Sequence, residues 1–199
     1  VSVNGNIATY TPNENYNGND SFTFTVSDGE LDDTASITLT IDPVNDAPVL
    51  AEVSDVSFDE DGSTSISLSG SDVDGDTISY SISGGSDITA TLDGSDITFT
   101  ASENFNGSET FTVTATDNEL SDSQSITVTV NAVNDAPTLA SVDAVSFGED
   151  SSTSITLSGS DIDGDGLSYS ISAGGDITAV VDGFTVTFTA SANFSGSEE

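Results

Sequence analysis

The strongest constraint on the fold is a repeat of 89 residues without insertion or deletion between copies. Asn45-Asp46-Ala47-Pro48 recurs as Asn134-Asp135-Ala136-Pro137, and the pattern Asp-x-Asp-Gly-Asp at 72–76 recurs at 161–165. A fixed period is the sequence signature of a tandem array. We therefore expect the chain to be a window on an array that continues on both sides. Its parts are the back of one module (1–46), a complete module (47–135) and the front of a third (136–199).

Within one module, apolar residues alternate with serine and threonine, which is the period of a β-strand. No segment carries the apolar stripe at 3.6 residues that indicates a helix. Turns rich in Gly, Asp, Asn and Ser separate seven strands, which we place near 56–58 and at 64–71, 77–83, 87–92, 96–101, 110–116 and 123–131. Seven short alternating strands predict an all-β fold, a seven-stranded Greek-key β-sandwich in each repeat.

The charge of the chain limits the chemistry that it can perform. It has 35 acidic residues and no Lys, Arg or His, so its formal charge is −35. The absence of His, Cys and Lys excludes a Ser-His-Asp triad, a cysteine nucleophile and a Schiff-base lysine. Without basic side chains the chain cannot bind nucleic acid by counterion release. Carboxylates remain, and these are ligands for hard cations such as calcium.

Two further counts complete the composition. The chain has no cysteine, so disulfide bonds are excluded and the redox compartment cannot be read from them. No run of 18 apolar residues is present, so we predict no insertion into a membrane.

Six carboxylates lie close together in the sequence of the complete module: Asp59, Glu60, Asp61, Asp72, Asp74 and Asp76. Residues i and i+2 of an extended chain point the same way, so Asp72 and Asp74 should share one side. Two carboxylates this close repel each other unless a cation lies between them. The pattern is compatible with calcium binding, although Asp and Gly are also ordinary turn formers. It is not an EF-hand, because the flanks are strands and the twelfth position counted from Asp161 is Ser172 rather than Glu.

The order of motifs along the whole module resembles a cadherin repeat. These motifs are Glu60-Asp61-Gly62, Ser71-Asp72-Val73-Asp74-Gly75-Asp76, Ser79-Tyr80-Ser81-Ile82, Thr114-Ala115-Thr116-Asp117 and Asn134-Asp135-Ala136-Pro137. The stretch from Tyr10 to Gly29 resembles the bacterial cadherin-like and immunoglobulin-like tandem repeats of giant secreted surface adhesins. The resemblance covers essentially the entire chain, and it implies an extracellular location on a bacterial cell surface.

In cadherins calcium lies at each junction between modules, and the resemblance implies ligands for two junctions in this chain. For the first junction they are Glu14, Asn45, Asp46, Asp72, Asp74 and Asp117. For the second junction they are Glu60, Glu103, Asn134, Asp135, Asp161 and Asp163. The linkers depart from the cadherin pattern, because Pro43 and Ala132 stand where cadherins carry an Asp. This departure implies that each junction binds fewer ions, or binds them more weakly.

The resemblance and the carboxylate clusters together favour a calcium-rigidified extender or stalk segment of a repetitive adhesin or surface filament. The partners would be neighbouring modules of the same array, with homotypic or filament contacts as a further option. One alternative is an adhesive module for a glycan or another ligand, although such modules usually break the repeat. Another alternative is that the Thr-rich faces bind an ice or crystal surface. β-Propensity explains the threonines on these faces more simply. An enzyme is least favoured: paired carboxylates can hydrolyse glycosides, but the sequence has no Trp and no cleft-forming insertion.

Overall fold

The structure of the protein is a computed structural model that describes residues 1–172 and 174–198. These residues form strands, turns and loops without a helix, which confirms the all-β prediction. In this part of the chain, therefore, no helix has the length and apolar character needed to cross a bilayer. The chain divides into two compact units, Val1–Asn131 and Ala132–Glu199.

The first 41 residues carry two separate antiparallel pairs of strands. The strands are β1 (Ser2–Asn4), β2 (Ile7–Thr9), β3 (Gly18–Ser27) and β4 (Asp32–Ile41). The first two strands pair over three residues, whereas β3 and β4 form a long hairpin with Gly18 opposite Ile41. Apolar residues at alternate positions of the two strands form one face of this hairpin. Two of them, Phe24 and Ile37, are nevertheless 44% and 43% exposed.

The complete module forms two main sheets and one short pair. Its strands are β5 (Val49–Leu50), β6 (Val56–Asp59), β7 (Ser63–Ser67), β8 (Gly70–Ser71), β9 (Ser79–Ile82), β10 (Ile88–Asp93), β11 (Asp96–Ala101), β12 (Gly107–Thr116) and β13 (Ser121–Asn131). The strand orders are β10-β11-β7 in one sheet, β6-β13-β12-β9 in the other, and β5-β8 in the pair. The second strand of the module, β6, therefore pairs with its last strand, β13, and runs parallel to it. This crossing of distant strands between two sheets is the predicted Greek-key β-sandwich.

The core of the module lies between the two sheets, where alternate residues of each strand point inward. Phe99 on β11 and Phe111 on β12 are fully buried, and their rings meet edge to face with centroids 5.4 Å apart. The buried apolar side chains of this core are Leu50, Phe58, Leu68, Ile88, Ile97, Phe99, Phe111, Val113, Ala115, Ile126, Val128 and Val130. Half of them lie on β12 and β13, so this hairpin supplies much of the core.

The second unit repeats only part of this sandwich. Its strands are β14 (Thr138–Leu139), β15 (Ser152–Thr156), β16 (Gly159–Ser160), β17 (Ile177–Asp182) and β18 (Thr185–Ala190). They are the counterparts of β5, β7, β8, β10 and β11, and they pair in the same way. Residues 145–148 and 168–171, the counterparts of β6 and β9, are not strands.

Candidate metal centre

The acidic loop that follows β8 is folded around the side chain of Asp72. Its Oδ1 accepts the backbone N–H groups of Asp74 at 2.9 Å and of Asp76 at 3.3 Å. Gly75 between them has φ of 83°, a left-handed conformation that glycine adopts without steric cost. The three carboxylates bring one oxygen each to within 4.8 Å of one another. The loop therefore gathers three negative charges at one place.

The second oxygen of Asp72 shows that these residues fit a hard cation. Asp72 Oδ2 is buried and has no hydrogen-bond partner among the described residues. A buried oxygen without a donor loses its hydration, and the carboxylates of Asp74 and Asp76 beside it add like charge. The side-chain atoms gathered here are carboxylate oxygens, the ligand type that calcium prefers. A divalent cation would satisfy the buried oxygen and offset the repulsion together.

The linker before the complete module contacts this loop directly. The backbone N–H of Asp46 donates to Asp74 Oδ2 at 2.8 Å, and Asn45 Nδ2 donates to Asp117 Oδ2 at 2.8 Å. Five of the six residues assigned to the first junction are thus connected through Asn45 and Asp46. The linker is held at two points, one on the acidic loop and one at the end of β12.

Asp117 is also fixed by its own turn between β12 and β13. Its Oδ1 accepts the backbone N–H groups of Glu119 and Leu120, each at 2.7 Å. The N–H of Leu120, the Asn45 amide and the N–H of Glu119, in that order, hold the pKa of Asp117 below its usual value. Asp28 repeats this turn between β3 and β4, where the N–H groups of Leu31 and Glu30 lower its pKa. Both carboxylates therefore stay ionised at neutral pH.

Glu14, the sixth assigned residue, is exposed in the turn before β3. Beside the linker lies a cavity of about 250 Å³, and its lining includes Asn13, Asn15 and Asn17 together with Asp42, Asp46 and Asp74. The loop thus offers amide oxygens to the cavity where the cadherin resemblance implied a glutamate. Sequence reasoning missed these asparagines, because Asn15 lies in a turn with φ of 58°, where the alternation of an extended chain does not apply.

The second unit contains the same acidic loop and linker contact. The N–H of Asp135 donates to Asp163 Oδ2 at 2.7 Å, and Asp161 Oδ1 accepts from Asp163 at 3.0 Å and Asp165 at 3.2 Å. Asn134 instead donates to the carbonyl oxygen of Asp135 at 2.8 Å. Its counterpart Asn45 uses Asp117, which follows β12, and the described part of this unit has no counterpart of that strand.

Glu60 and Glu103 lie in the first unit, far from its acidic loop. Glu103 precedes β12 and Asp117 follows it, so a strand of ten residues separates them. Glu60 is buried, and its N–H donates to the carbonyl oxygen of Asn131 at 2.9 Å. Asp61 Oδ1 accepts the N–H of Asn104 at 3.4 Å, so the turns that carry Glu60 and Glu103 adjoin. The structure thus brings these two turns together within the module.

One repeated carboxylate contact was not anticipated. Glu109 at the start of β12 accepts the N–H groups of Ser86, Asp87 and Ile88 at 3.0–3.2 Å, and also the Ser86 hydroxyl. We call this arrangement the carboxylate clasp, and it joins β12 to the start of β10 in the opposite sheet. The Ser86 hydroxyl, followed by the N–H of Asp87, holds the pKa of Glu109 below its usual value.

The clasp explains why residue 85 is a glycine. A Cβ on Gly85 would clash with Glu109 Oε2 and with the carbonyl oxygen of Ile88. The second unit repeats the arrangement: Glu198 accepts from Gly175, Asp176 and Ile177, and a Cβ on Gly174 would clash with Glu198. The recurrence of Gly and Glu at the 89-residue offset was the available signal.

Comparison with known proteins gives a family for the chain. A family model described as "Bacterial Ig domain" matches residues 1–41, 45–129 and 134–199. The chain matches none of the curated proteins with which it was compared.

The solved structures to which the chain is similar have low identities and low TM-scores. Cadherin domains 1–4 of protocadherin gamma B7 are 16% identical, with a TM-score of 0.47 over 88% of this chain and 49% of that one. Human protocadherin-24 EC1-2 is 14% identical, with a TM-score of 0.40 over 75% and 80%. An endo-fucoidan hydrolase of glycoside hydrolase family 107 is 16% identical, with a TM-score of 0.37 over 89% of this chain. The chain spans 30% of the length of that hydrolase.

Because their identities and TM-scores are low, these structures give no information about the activity of this chain. The sequence match, by contrast, extends over nearly all of the chain. It confirms the resemblance to bacterial immunoglobulin-like tandem repeats, and the chain belongs to the bacterial Ig domain family.

Proposed function

We propose that the chain is a calcium-rigidified extender segment of a bacterial extracellular adhesin or surface filament. One observation carries the proposal: the linker residues Asn45 and Asp46 are hydrogen-bonded to the module that follows, beside the buried and unpartnered Oδ2 of Asp72. A linker that is held to an acidic loop at two points can transmit a fixed orientation once the repulsion in that loop is neutralised. Membership of a family whose domains are usually extracellular supports the location.

In the first junction some residues would bind the cation and others would position the linker. Asp72 and Asp74 would hold the cation from the module, Asp46 would approach it from the linker, and the loop at 13–17 would add amide oxygens. Asn45 positions the linker through Asp117, whose turn is fixed by two backbone N–H groups. Bound calcium supplies the positive charge that this chain lacks.

The strength expected of such a site suits the proposed location. Extracellular calcium modules have dissociation constants on the order of 10⁻⁴–10⁻³ M. The linker would therefore be soft at cytosolic calcium levels and stiff at millimolar levels outside the cell. The formal charge of −35 makes the difference larger, because carboxylates without counter-charges repel one another along the array.

A calcium titration by isothermal calorimetry tests this proposal. The double variant Asp72→Asn/Asp74→Asn should lose the site of the first junction and retain the one formed around Asp161 and Asp163. The matched control is Asp32→Asn/Asp33→Asn, which removes the same charge from exposed positions on β4. The control should bind as the parent protein does. Identical stoichiometry and affinity in the Asp72/Asp74 variant and in the parent would contradict the proposal.

A further inference from the structure

The outer face of the four-stranded sheet in the complete module is uncharged over three of its strands. In β9, β12 and β13 the residues that alternate with the core side chains, and so point away from it, are serine or threonine. We call this surface the hydroxyl face, and its residues are Ser79, Ser81, Ser108, Thr110, Thr112, Thr114, Thr116, Ser121, Ser123, Ser125, Thr127 and Thr129. The fourth strand, β6, adds Ser57 and, at its end, Asp59, which accepts from the side-chain amide of Asn131. The three strands thus present no carboxylate on this face, in a chain that has 35 acidic residues.

The strand register arranges these hydroxyls in rungs across the sheet. Thr112 of β12 lies directly opposite Ser125 of β13, in the middle of the face. The hydroxyl oxygens of Ser108 and Thr129, which form another rung, lie 3.0 Å apart. A hydroxyl group can both donate and accept hydrogen bonds, so a face made of hydroxyls can bond to an identical face.

The β3–β4 hairpin repeats this face at the 89-residue offset. Its outward residues carry hydroxyl or amide groups except for Asp32, which lies beside the turn, and they are Asn19, Ser21, Thr23, Thr25, Ser27, Asp32, Thr34, Ser36, Thr38 and Thr40. The rungs recur as well: the hydroxyls of Thr23 and Ser36 lie 3.1 Å apart, and Thr40 donates to Asn19 at 2.9 Å. The hydroxyl face is therefore a property of the repeat and not of one module.

Strand propensity favours threonine on this face, but it does not account for the absence of carboxylates. The same strands carry Glu109 and Asp122 on their inward side, where Glu109 forms the carboxylate clasp and Asp122 accepts the N–H of Leu50 at 2.9 Å. The opposite sheet carries Asp93 and Asp96 next to its β10–β11 turn, and both are exposed. Strands of this module thus accommodate acidic residues, and the hydroxyl face is the part of the sandwich that is without them.

We propose that the hydroxyl face is a lateral contact between two copies of this chain. With a formal charge of −35, contact through other surfaces brings carboxylates together, whereas two hydroxyl faces meet without juxtaposing any. Identical faces that meet about a two-fold axis are self-complementary, and two sheets packed face to face lie about 10 Å apart. The proposal rests on the surface-filament form of the proposed function for its setting, but the contact itself needs no calcium.

The size of the face indicates how strong this contact should be. A strand of ten residues is about 34 Å long and neighbouring strands lie about 4.8 Å apart, so β9, β12 and β13 present roughly 400 Å². Stable interfaces use about 800 Å² of each partner, so a single contact is weak. Further copies of the face along an array add contacts within the same pair of molecules, which strengthens association. Salt should strengthen it too, because it screens the long-range repulsion between the copies.

Paramagnetic relaxation enhancement measured by NMR detects a weak contact of this kind. The chain has no cysteine, so a single introduced cysteine carries a nitroxide label at one position. Ser123→Cys places the label on the hydroxyl face, and Thr98→Cys places it on the exposed outer face of the opposite sheet as the control. Labelled chains are mixed with ¹⁵N-labelled chains at high salt. We expect the label at 123, and not the label at 98, to broaden the amide signals of β12 and β13 in the second chain. The measurement is made in chelator, so its failure is distinguishable from a failure of the calcium proposal.

A pair of charges on the face gives the sharper result. Thr112→Asp/Ser125→Asp, in both chains, places two carboxylates on opposite sides of one rung, and both positions are exposed, so the module should remain folded. The matched control Thr91→Asp/Thr98→Asp makes the same change at directly opposed, exposed positions of the other sheet. With the label at 123, the first variant should lose the intermolecular broadening and the control should retain it.

Lengthening the array tests the expected dependence on repeat number. Residue 1 occupies the same position in the repeat as residue 179, so residues 1–178 followed by a second copy of residues 1–199 continue the 89-residue period. This longer chain should associate about tenfold more strongly, or better. Unchanged association would overturn the proposal, as would a parent chain without intermolecular broadening at any concentration. Broadening that persists in Thr112→Asp/Ser125→Asp, or that is lost equally in the control variant, would overturn it too, since another surface or net charge alone would then be responsible.

Discussion

Residues 79–82 and 168–171 share the sequence Ser-Tyr-Ser-Ile, and only the first of them is a strand. The difference follows from their surroundings. Residues 79–82 form β9, which pairs with β12, and the described part of the second unit has no counterpart of β12. The same holds for Val56-Ser57-Phe58, which pairs with β13, and for its unpaired copy at 145–147. In this repeat the available partner decides whether an edge segment becomes a strand, and local propensity alone does not.

The comparison also separates the parts of the module that form without the hairpin. Strands β15, β17 and β18 keep the pairings of β7, β10 and β11, because their partners all lie within the same sheet. The three-stranded sheet is therefore retained in the second unit, whereas the core that packs against it is not closed. Phe99 is fully buried, and its counterpart Phe188 is only partly buried. We therefore expect the presence or absence of the hairpin to have the largest effect on the free energy of unfolding of a module.

The largest effect is expected from supplying the hairpin in cis. Appending a copy of residues 111–135 after residue 199 should turn 145–148 and 168–171 into strands and bury Phe147 and Phe188. Burial of several apolar side chains should raise the free energy of unfolding of this unit by about 5 kcal/mol or more. Amide hydrogen exchange at the two segments measures the change. An appended segment with Ser at its apolar positions is the control, and no added protection in the apolar version would contradict the comparison.

The second test truncates one ring in each copy of the hairpin. Phe111→Ala should lower the free energy of unfolding by about 3–5 kcal/mol, because this ring fills the closed core. Phe22→Ala at the corresponding position should cost about 1 kcal/mol, since Phe22 is only partly buried. Urea unfolding, with amide exchange to assign each transition, compares them. Equal costs would mean that the second sheet does not determine the burial of this position.

The third test concerns the two glycines before the carboxylate clasp. Gly85→Ala should lower the free energy of unfolding by about 1–3 kcal/mol, because its Cβ would clash with the Glu109 carboxylate and the Ile88 carbonyl oxygen. The matched control is Gly84→Ala, whose Cβ meets nothing within 4 Å and should change stability by less than about 0.5 kcal/mol. Thermal unfolding distinguishes the two. A similar shift in both variants would show that the loop does not hold Glu109 tightly.

The smallest effect is expected from the charge of the clasp itself. Because the folded state lowers the pKa of Glu109, the clasp stabilises fully above the unfolded value of about 4.3 and is lost as pH falls through the folded pKa. Glu109→Gln should cost about 1–2 kcal/mol at pH 7 and flatten the fall in stability below about pH 4.5. Glu52→Gln, at an exposed position, is the control. Parallel pH profiles for Glu109→Gln and the parent would contradict this role.

The strands and the acidic loop were within reach of sequence reasoning, because both depend on neighbours along the chain. Alternation placed strands at the positions of β6, β7 and β9–β13, but it predicted one strand at 64–71 where the structure has β7 and β8, and it missed β5. The i, i+2 spacing predicted that Asp72 lies beside Asp74, and oxygens of the two carboxylates lie within 4.8 Å of each other. The carboxylate clasp was out of reach because it joins Glu109 to backbone N–H groups more than 20 residues away. The asparagines beside the linker cavity were missed for a different reason, since the cadherin resemblance directed attention to Glu14 instead.

Small-angle X-ray scattering of the chain, at a dilution at which it is monomeric, tests the central proposal most directly. The profile is recorded in millimolar calcium, in millimolar magnesium at matched ionic strength, and in chelator. We expect calcium alone to give a stiffer and more extended profile, and Asp72→Asn/Asp74→Asn to reduce that change. Coincident profiles in calcium, magnesium and chelator would contradict the account, because the acidic loops would then be solvated turns without a role in stiffness.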